Sequence, residues 1–463
     1  MPLIVDNALA PADLLPKIQC LWELSAAKIL DIEQTWSEEN GTPVFTVNGA
    51  YTSRGWTEWT QGFQYGSAIL QFDATGDARF LDLGRTRTVH KMAAHVSHTG
   101  VHDHGFNNIS TYGNLHRLMR EGRIEDNVNE RNFYELALKV SGAIQAARWT
   151  PVEGGLGYIY SFNGPHSLFI DTMRSLRSLV VASQLGHVLM QERDTAICLL
   201  DRSIIHAEVT ARFNIYYGEG RDSYDVPGRV AHESLFNVKD GGYRCPSSQQ
   251  GFSPFTTWTR GLAWALCGFS ELLEYLLELD PKMQIRNQPL TGVIELFLKA
   301  ARVTSRFYME NCCSDGVPYW DTGAPELWRI KDALEKPAQP FNEWEPVDSS
   351  AAAIAAQGLL RLSKVERVLG NRSSARRLHK AGLTVARTLL SEIYLSRSPT
   401  HQGLLLHSLY HRPNGWDHVA RNQKVPNGES SMWGDYHLRE LALIIQRQAK
   451  RETPFQFYIS KHS

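Results

Sequence analysis

The sequence predicts an all-α (α/α)6 barrel, a closed ring of six inner helices wrapped by six outer ones. Three observations lead there. Apolar residues at three- and four-residue spacing dominate the 463-residue chain. Alternating, strand-like stretches are few and short, as at 157–162 and 233–238, and read as hairpins on loops. One local pattern recurs six times: a polar or aromatic mouth, then an apolar helix rich in small residues.

In chain order, residues 14–34 supply an outer helix, and the first mouth follows at Trp59-Thr60-Gln61-Gly62-Phe63. Residues 78–96 read as outer, and His102-Asp103-His104-Gly105 is the second mouth. Residues 131–148 precede the third mouth, Ile170-Asp171-Thr172, whose helix is expected over 168–189. An outer helix over 193–213 leads to Trp258-Thr259-Arg260-Gly261 and an inner helix over 262–277. Residues 291–308 are outer, with Val347-Asp348-Ser349-Ser350 and an inner helix over 351–362 behind them. Residues 373–394 and the mouth Ser431-Met432-Trp433-Gly434-Asp435 complete the series. The repeat is structural, with loops of varied length and no clean sequence period.

Helices that meet at a shared axis need small residues, and Gly261, Ala263, Ala265 and Ala351-Ala352-Ala353 supply them. Their N-termini then converge on one face, where the helix dipoles favour an anion. One catalytic domain over residues 1–463 is expected.

Composition excludes several classes. With 43% apolar and 21% charged residues and a net charge of −1, the chain has a soluble globular composition. No basic stripe stands out in the linear sequence, which argues against nucleic-acid and membrane-surface roles. The six cysteines are scattered, and Cys312-Cys313 lack metal-ligand spacing. Met1 to Asp6 carry no basic n-region, no signal peptide is read, and no segment is apolar enough to span a bilayer. A cytoplasmic location is the expectation. Twelve Trp and seventeen Tyr, many beside Gly, Asp or Arg, suit a wet concave site.

Asp103 and Asp171 are the candidate catalytic residues. A carboxylate at the mouth of a buried helix is costly unless it is paired or used. Two of them beside aromatic and glycine-rich sequence point to acid/base chemistry on a sugar. The competing reading is that Asp at a helix start only caps it, Asp348-Ser349-Ser350 above all.

At the mouths the chain resembles the unsaturated glucuronyl hydrolases and unsaturated rhamnogalacturonyl hydrolases, glycoside hydrolase families 88 and 105. The residues that carry the resemblance are His102-Asp103-His104-Gly105-Phe106, Ile170-Asp171-Thr172-Met173-Arg174 and Thr257-Trp258-Thr259-Arg260-Gly261-Leu262-Ala263-Trp264. His232, Gln250-Gly251-Phe252, Gly316 to Asp321 and Asp348 to Ala353 follow in family order, so that residues 59–436 are covered.

The resemblance implies the same barrel and removal of a 4,5-unsaturated uronic acid from the non-reducing end of oligosaccharides. It implies no metal and no cofactor. Asp171 takes the acid/base role and Asp103 that of second carboxylate, with His102, His232, Gln250, Trp258, Arg260 and Trp264 lining the subsite. Thr172, His104 and Gln64 depart from the family pattern and keep a saturated β-glucuronidase on the same scaffold as an alternative.

The chemistry asks for a carboxyl with a raised pKa, expected at Asp171 with Asp103 raising it. Arg260 reads either as a bidentate partner for the uronate or as a brace between helices. Trp258 and Trp264, six apart, do not share a helix face, so at least one is expected to pack. His232 reads as a ligand contact or as a loop support. His98, His102 and His104 form a conceivable zinc cluster without a fourth ligand. A sugar epimerase built on paired His, or a sugar-binding protein without catalysis, uses the same fold.

Overall fold

The computed structural model describes residues 2–55, 58–286 and 288–459. Six inner helices form the ring. The first is Gln61–Thr75, and the second runs from His104–Asn108 through the π-helical turn Ile109–Gly113 into Asn114–Arg120. The third is Thr172–Ser175 continued by Arg177–Gln184, and the fourth Thr259–Leu276. Ser349–Val368 and Met432–Lys450 are the fifth and sixth. Each packs on the next, and the sixth packs on the first, so the ring closes. The outer layer is Leu15–Thr35, Ala78–Lys91, Val128–Ala147, Leu199–Phe213, Leu290–Asn311 and Arg372–Leu389.

The two layers differ in the way the sequence pattern demands. The fifth inner helix buries every residue except Lys364, Arg367 and Val368, as expected of an element packed on all sides. The outer helix Arg372–Leu389 buries an apolar stripe including Leu378, Leu383, Val385 and Leu389 and exposes its charged face. Inner helices touch through glycine. A Cβ on Gly105 would lie 2.3 Å from the Ser175 carbonyl oxygen, and one on Gly358 would lie 2.9 Å from the Cys267 nitrogen.

Small side chains alone do not fill the ring. A buried charge cluster ties four inner helices together. Arg174 of the third binds Glu271 of the fourth and, at 3.0 Å, Glu440 of the sixth. Arg361 of the fifth lies 2.6 Å from Glu274, 3.4 Å from Glu271 and 3.8 Å from Glu440.

Several expected boundaries move: the fifth inner helix runs on to Val368, the last outer helix stops at Leu389, and the third inner helix is displaced at both ends, stopping at Gln184. The third inner helix begins at Thr172, because residues 167–169 pair instead with Glu233–Phe236 in a three-stranded sheet completed by Tyr243–Ser247. The fourth outer helix begins at Leu199. Val188–Gln191 and Thr195–Cys198 form a hairpin whose turn places Arg193 and Asp194 at positive φ. Gly186, also at positive φ, ends the helix before it. The other expected hairpins are present, with Trp149–Val152 paired to Leu156–Ile159. Among the described residues no helix is long and apolar enough to cross a membrane.

Glu440 is fully buried and faces Arg174, Arg177 and Arg361 of other helices, so Glu440→Gln strands cationic charge in the core. The expected loss is about 3–5 kcal/mol of unfolding free energy by chemical denaturation. A loss below about 1 kcal/mol would show that the cluster does not hold the ring.

Candidate active site

The N-terminal ends of the inner helices surround a cavity of about 370 Å³. Asp103 and Asp171 both line it, each immediately before an inner-helix segment. Neither carboxylate caps its helix. Asp348 does: its Oδ1 accepts from the backbone of Ser350 at 3.0 Å and of Ala351 at 3.4 Å. The capping reading therefore holds for Asp348 and fails for the pair that faces the cavity.

His102 joins the pair. Its Nε2 is 3.4 Å from Asp171 Oδ1 and 3.7 Å from Asp103 Oδ1, and its side chain is 1% exposed. Phe162, 6.0 Å away, stacks on the imidazole, and Phe169 meets it edge-on at 5.6 Å. The small sheet sets this geometry. Phe169 pairs with Glu233, and the Ile170 nitrogen donates to the His232 carbonyl at 3.0 Å, which fixes the backbone that delivers Asp171.

Burial pushes both carboxyls upward and the imidazole downward. At Asp103 burial prevails, helped by the Asp171 charge, and its pKa is raised. At Asp171 the opposing pull of His102, with His232 behind it, outweighs burial and the pKa is lowered. Burial also disfavours the His102 imidazolium, but the two carboxylates overcome it and the pKa is raised. The elevation expected at Asp171 falls on Asp103, because the imidazole stands nearer to Asp171.

The walls are aromatic. Trp258 precedes its helix, so its ring lies off the helical face that Trp264 occupies, and both line the cavity at 4% and 2% exposure. Trp264 also packs on Phe106 at 4.9 Å, which meets the expectation that one of the two packs. Gln250 lines the cavity and accepts from Arg260 at 3.1 Å.

Arg260 lines it as well, but its donors are engaged. Nη1 donates to Asp348 Oδ2 and the Leu409 carbonyl, both at 2.7 Å, and Nη2 to Gln250 and, at 2.7 Å, the Tyr410 carbonyl. The four η hydrogens are used, and the side chain braces the mouth. His232 stands behind the wall: its Nδ1 accepts from the Gln249 nitrogen at 3.0 Å, and its ring contacts Phe169 and Trp258. Burial takes its pKa down to about 4.

The sequence trio His98, His102 and His104 does not assemble as a metal site. His104 contacts Ser141 Oγ through Nδ1 at 3.0 Å and the His98 carbonyl through Nε2 at 2.8 Å. The ligand-like spacing belongs instead to His102, Asp103 and Asp171, with one atom of each within 4.8 Å of the others.

Trp59 of the first mouth lines the other side of the cavity, together with a loop that sequence reasoning missed, carrying Tyr410, His411, Asn414 and Trp416. Asp417 closes that loop by accepting from the backbone of Tyr410 and of His411. Its only linear signal is aromatic residues around Asn414-Gly415.

No protein-family model matches the chain. It is 26% identical over 388 residues to an unsaturated glucuronyl hydrolase of Formosa agariphila, covering 83% of this chain and 78% of that protein. It is 26% identical over 399 residues to one from Bacillus sp., covering 84% and 87%. An unsaturated chondroitin disaccharide hydrolase of Streptococcus agalactiae is 24% identical over 422 residues, covering 88% and 86%. Among solved structures, the unsaturated glucuronyl hydrolase of Bacillus sp. GL1 superposes with a TM-score of 0.69 at 21% identity, over 96% of this chain and 100% of that one. One described as specific for heparin gives 0.68 at 19% identity, over 95% and 100%. These superpositions show the barrel fold.

Because two carboxylates hold the His102 proton, Asp171→Asn is expected to lower the His102 pKa, read from imidazole chemical shifts against pH. An unchanged midpoint would separate His102 from Asp171.

Proposed function

The chain is unsaturated glucuronyl hydrolase-like along most of its length, and we propose that it releases a terminal 4,5-unsaturated uronic acid from oligosaccharides. The observation that carries this reading is the pair of uncapped carboxylates sharing one buried imidazole at an aromatic cavity.

The substrate is an enol ether across C4 and C5. Its π electrons take a proton at C4, leaving an oxocarbenium ion at C5. Water adds to C5 and gives its proton to a carboxylate. The C5 hemiketal opens to a ketone as the ring oxygen becomes a hydroxyl on C1. That C1 hemiacetal collapses to an aldehyde and expels the aglycone alcohol.

We assign Asp171 to deliver and recover the proton. Asp103 and His102 supply the store it draws on, because three groups this close titrate as a unit. An arriving uronate adds negative charge and raises all three pKa values. Trp258, Trp264 and Gln250 shape the subsite, while Arg260 and His232 hold its walls.

The saturated-glucuronide alternative rested on Thr172, His104 and Gln64, and none of these lines the cavity. Oxygens of Asp103 and Asp171 approach within 4.8 Å, closer than the roughly 6.5–9.5 Å of an inverting glycosidase, so a saturated alternative would have to be a retaining one, whose carboxylates stand about 5–5.5 Å apart. We read the chain as one catalytic domain. Its six cysteines are free thiols, which suits the reducing cytoplasm.

Incubation with lyase-generated disaccharides should remove the enol-ether absorbance, and a thio-linked aglycone should be released as well, since protonation occurs at C4. Asp171→Asn should lower turnover by about 10²–10⁴ while keeping the fold. Release of p-nitrophenol from a saturated glucuronide, with no action on unsaturated disaccharides, would overturn the reading.

A further inference from the structure

The outer helix Arg372–Leu389 breaks an electrostatic rule that helices usually keep. It carries Arg372, Arg376, Arg377, Lys380 and Arg387 and no Asp or Glu. Arg372 with Arg376, and Arg376 with Lys380, are like-charge pairs one turn apart, which disfavours the helix. Three of these cations crowd its first turns, where the dipole opposes them. A local rule broken without local compensation marks a place where something else is selected.

The fold adds to this charge. A cavity of about 500 Å³ opens beside the helix, with Arg361, Lys364, Arg367, His379, Arg447 and Arg451 in its wall. A second, of about 640 Å³, has Arg302, Arg306, Arg372 and Arg377. The carboxylates in the two walls are already paired: Glu274 with Arg361 at 2.6 Å, Glu452 with Arg123 at 2.5 Å and Glu366 with Arg302 at 2.7 Å. Among the described residues, Arg306, Arg367, Arg372, Arg376 and Arg451 have no carboxylate in ion-pair reach. Arg361, 3% exposed, directs Nη1 to Glu274 and Nη2 to the buried Glu271 and Glu440, and its Nε has no acceptor. Arg361, Lys364, Arg367, Arg372, Arg376, Arg377 and Lys380 form a basic stretch within residues 361–380 that the sequence reading passed over, and the fold adds Arg302, Arg306, Arg447 and Arg451 from other segments.

This corner sits at the C-terminal end of the fifth inner helix, whose 20 residues put it about 30 Å from the mouth at Asp348. We propose that it is a second carbohydrate site, binding a chain of acidic polysaccharide through its sulfate or carboxylate groups. One small anion would fill one cavity, whereas the cations run through both and over the helix between them. Asn371, Ser373, Ser374 and Gln448 in the walls offer neutral partners for sugar hydroxyls. Neither wall offers a Trp or Tyr, and Phe455 is 5% exposed, so a nucleic-acid base would have only the His379 imidazole and arginine guanidiniums to stack on. The choice of carbohydrate over other polyanions rests on the hydrolase reading. Docking here holds the enzyme on the polymer while the opposite face stays open to short fragments.

The test measures binding of the full chain to heparin, polygalacturonate, duplex DNA and phosphatidylserine vesicles at about 0.15 M salt, together with turnover of an unsaturated disaccharide. At least one of the two polysaccharides is expected to bind more tightly than DNA or vesicles. The variant Arg372→Gln/Arg376→Gln/Arg377→Gln should raise its Kd by about tenfold or more. Arg367→Gln/Arg451→Gln should act in the same direction, and both variants should leave disaccharide turnover unchanged. Variants that bind like the native chain would overturn the site, and so would tighter binding of DNA or vesicles. Polysaccharide binding that is sensitive to the variants, without disaccharide turnover, supports the site and sinks the hydrolase reading alone.

Discussion

Everything at the cavity depends on closing six helices around one axis. A closed ring brings six N-termini to one face, so residues far apart in sequence, such as Asp103, Asp171 and Trp258, meet without any long-range motif to specify it. The same closure forces polar side chains inward. The chain answers with the cluster of Arg174, Arg361, Glu271 and Glu440, in which each buried charge faces one of opposite sign. An incomplete cluster would be worse than an apolar plug, so the four inner helices it joins stand or fall together.

The cavity face uses the opposite strategy. There the chain leaves charges imperfectly paired. His102 Nε2 lies 3.4 Å from Asp171 and 3.7 Å from Asp103 without a well-formed hydrogen bond to either, and among the described residues no other group satisfies its ring nitrogens. Proton affinity is thereby spread over three groups. The supporting shell is rigid: a three-stranded sheet fixes the backbone before Asp171, and Gly105 lets the second helix approach Ser175 closely beside Asp103. Rigid backbone around loosely paired ionisable groups is the arrangement proton transfer needs.

Much of this was legible in the sequence. Six mouths and six amphipathic partners gave the barrel, and the mouth residues His102, Asp103, Asp171, Trp258 and Arg260 share one cavity with Gln250 and Trp264, which the family resemblance supplied. Residue types alone did not decide roles. Arg260 and His232 have ligand-like chemistry, but the fold commits the Arg260 η hydrogens to acceptors such as the Leu409 and Tyr410 carbonyls and His232 Nδ1 to the Gln249 nitrogen, leaving only the buried His232 Nε2 without a partner among the described residues. The direction of the carboxyl shifts likewise turns on which carboxylate His102 approaches more closely, which no spacing encodes. The loop around Tyr410 to Trp416 escaped because it belongs to no periodic element.

The engagement of Arg260 has a consequence for recognition. Among the described residues it is, apart from the imidazoles of His102 and His411, the only cationic side chain in the cavity wall, and its η hydrogens all go to protein acceptors. The wall therefore offers an incoming carboxylate neutral donors such as the Ser248 hydroxyl and the Gln250 amide rather than a free ion-pair partner. Attraction built from fixed dipoles in a half-enclosed, aromatic space is screened little by dissolved ions. A catalytic mouth of this kind keeps its grip in brine, while a surface held by exposed arginines loses it.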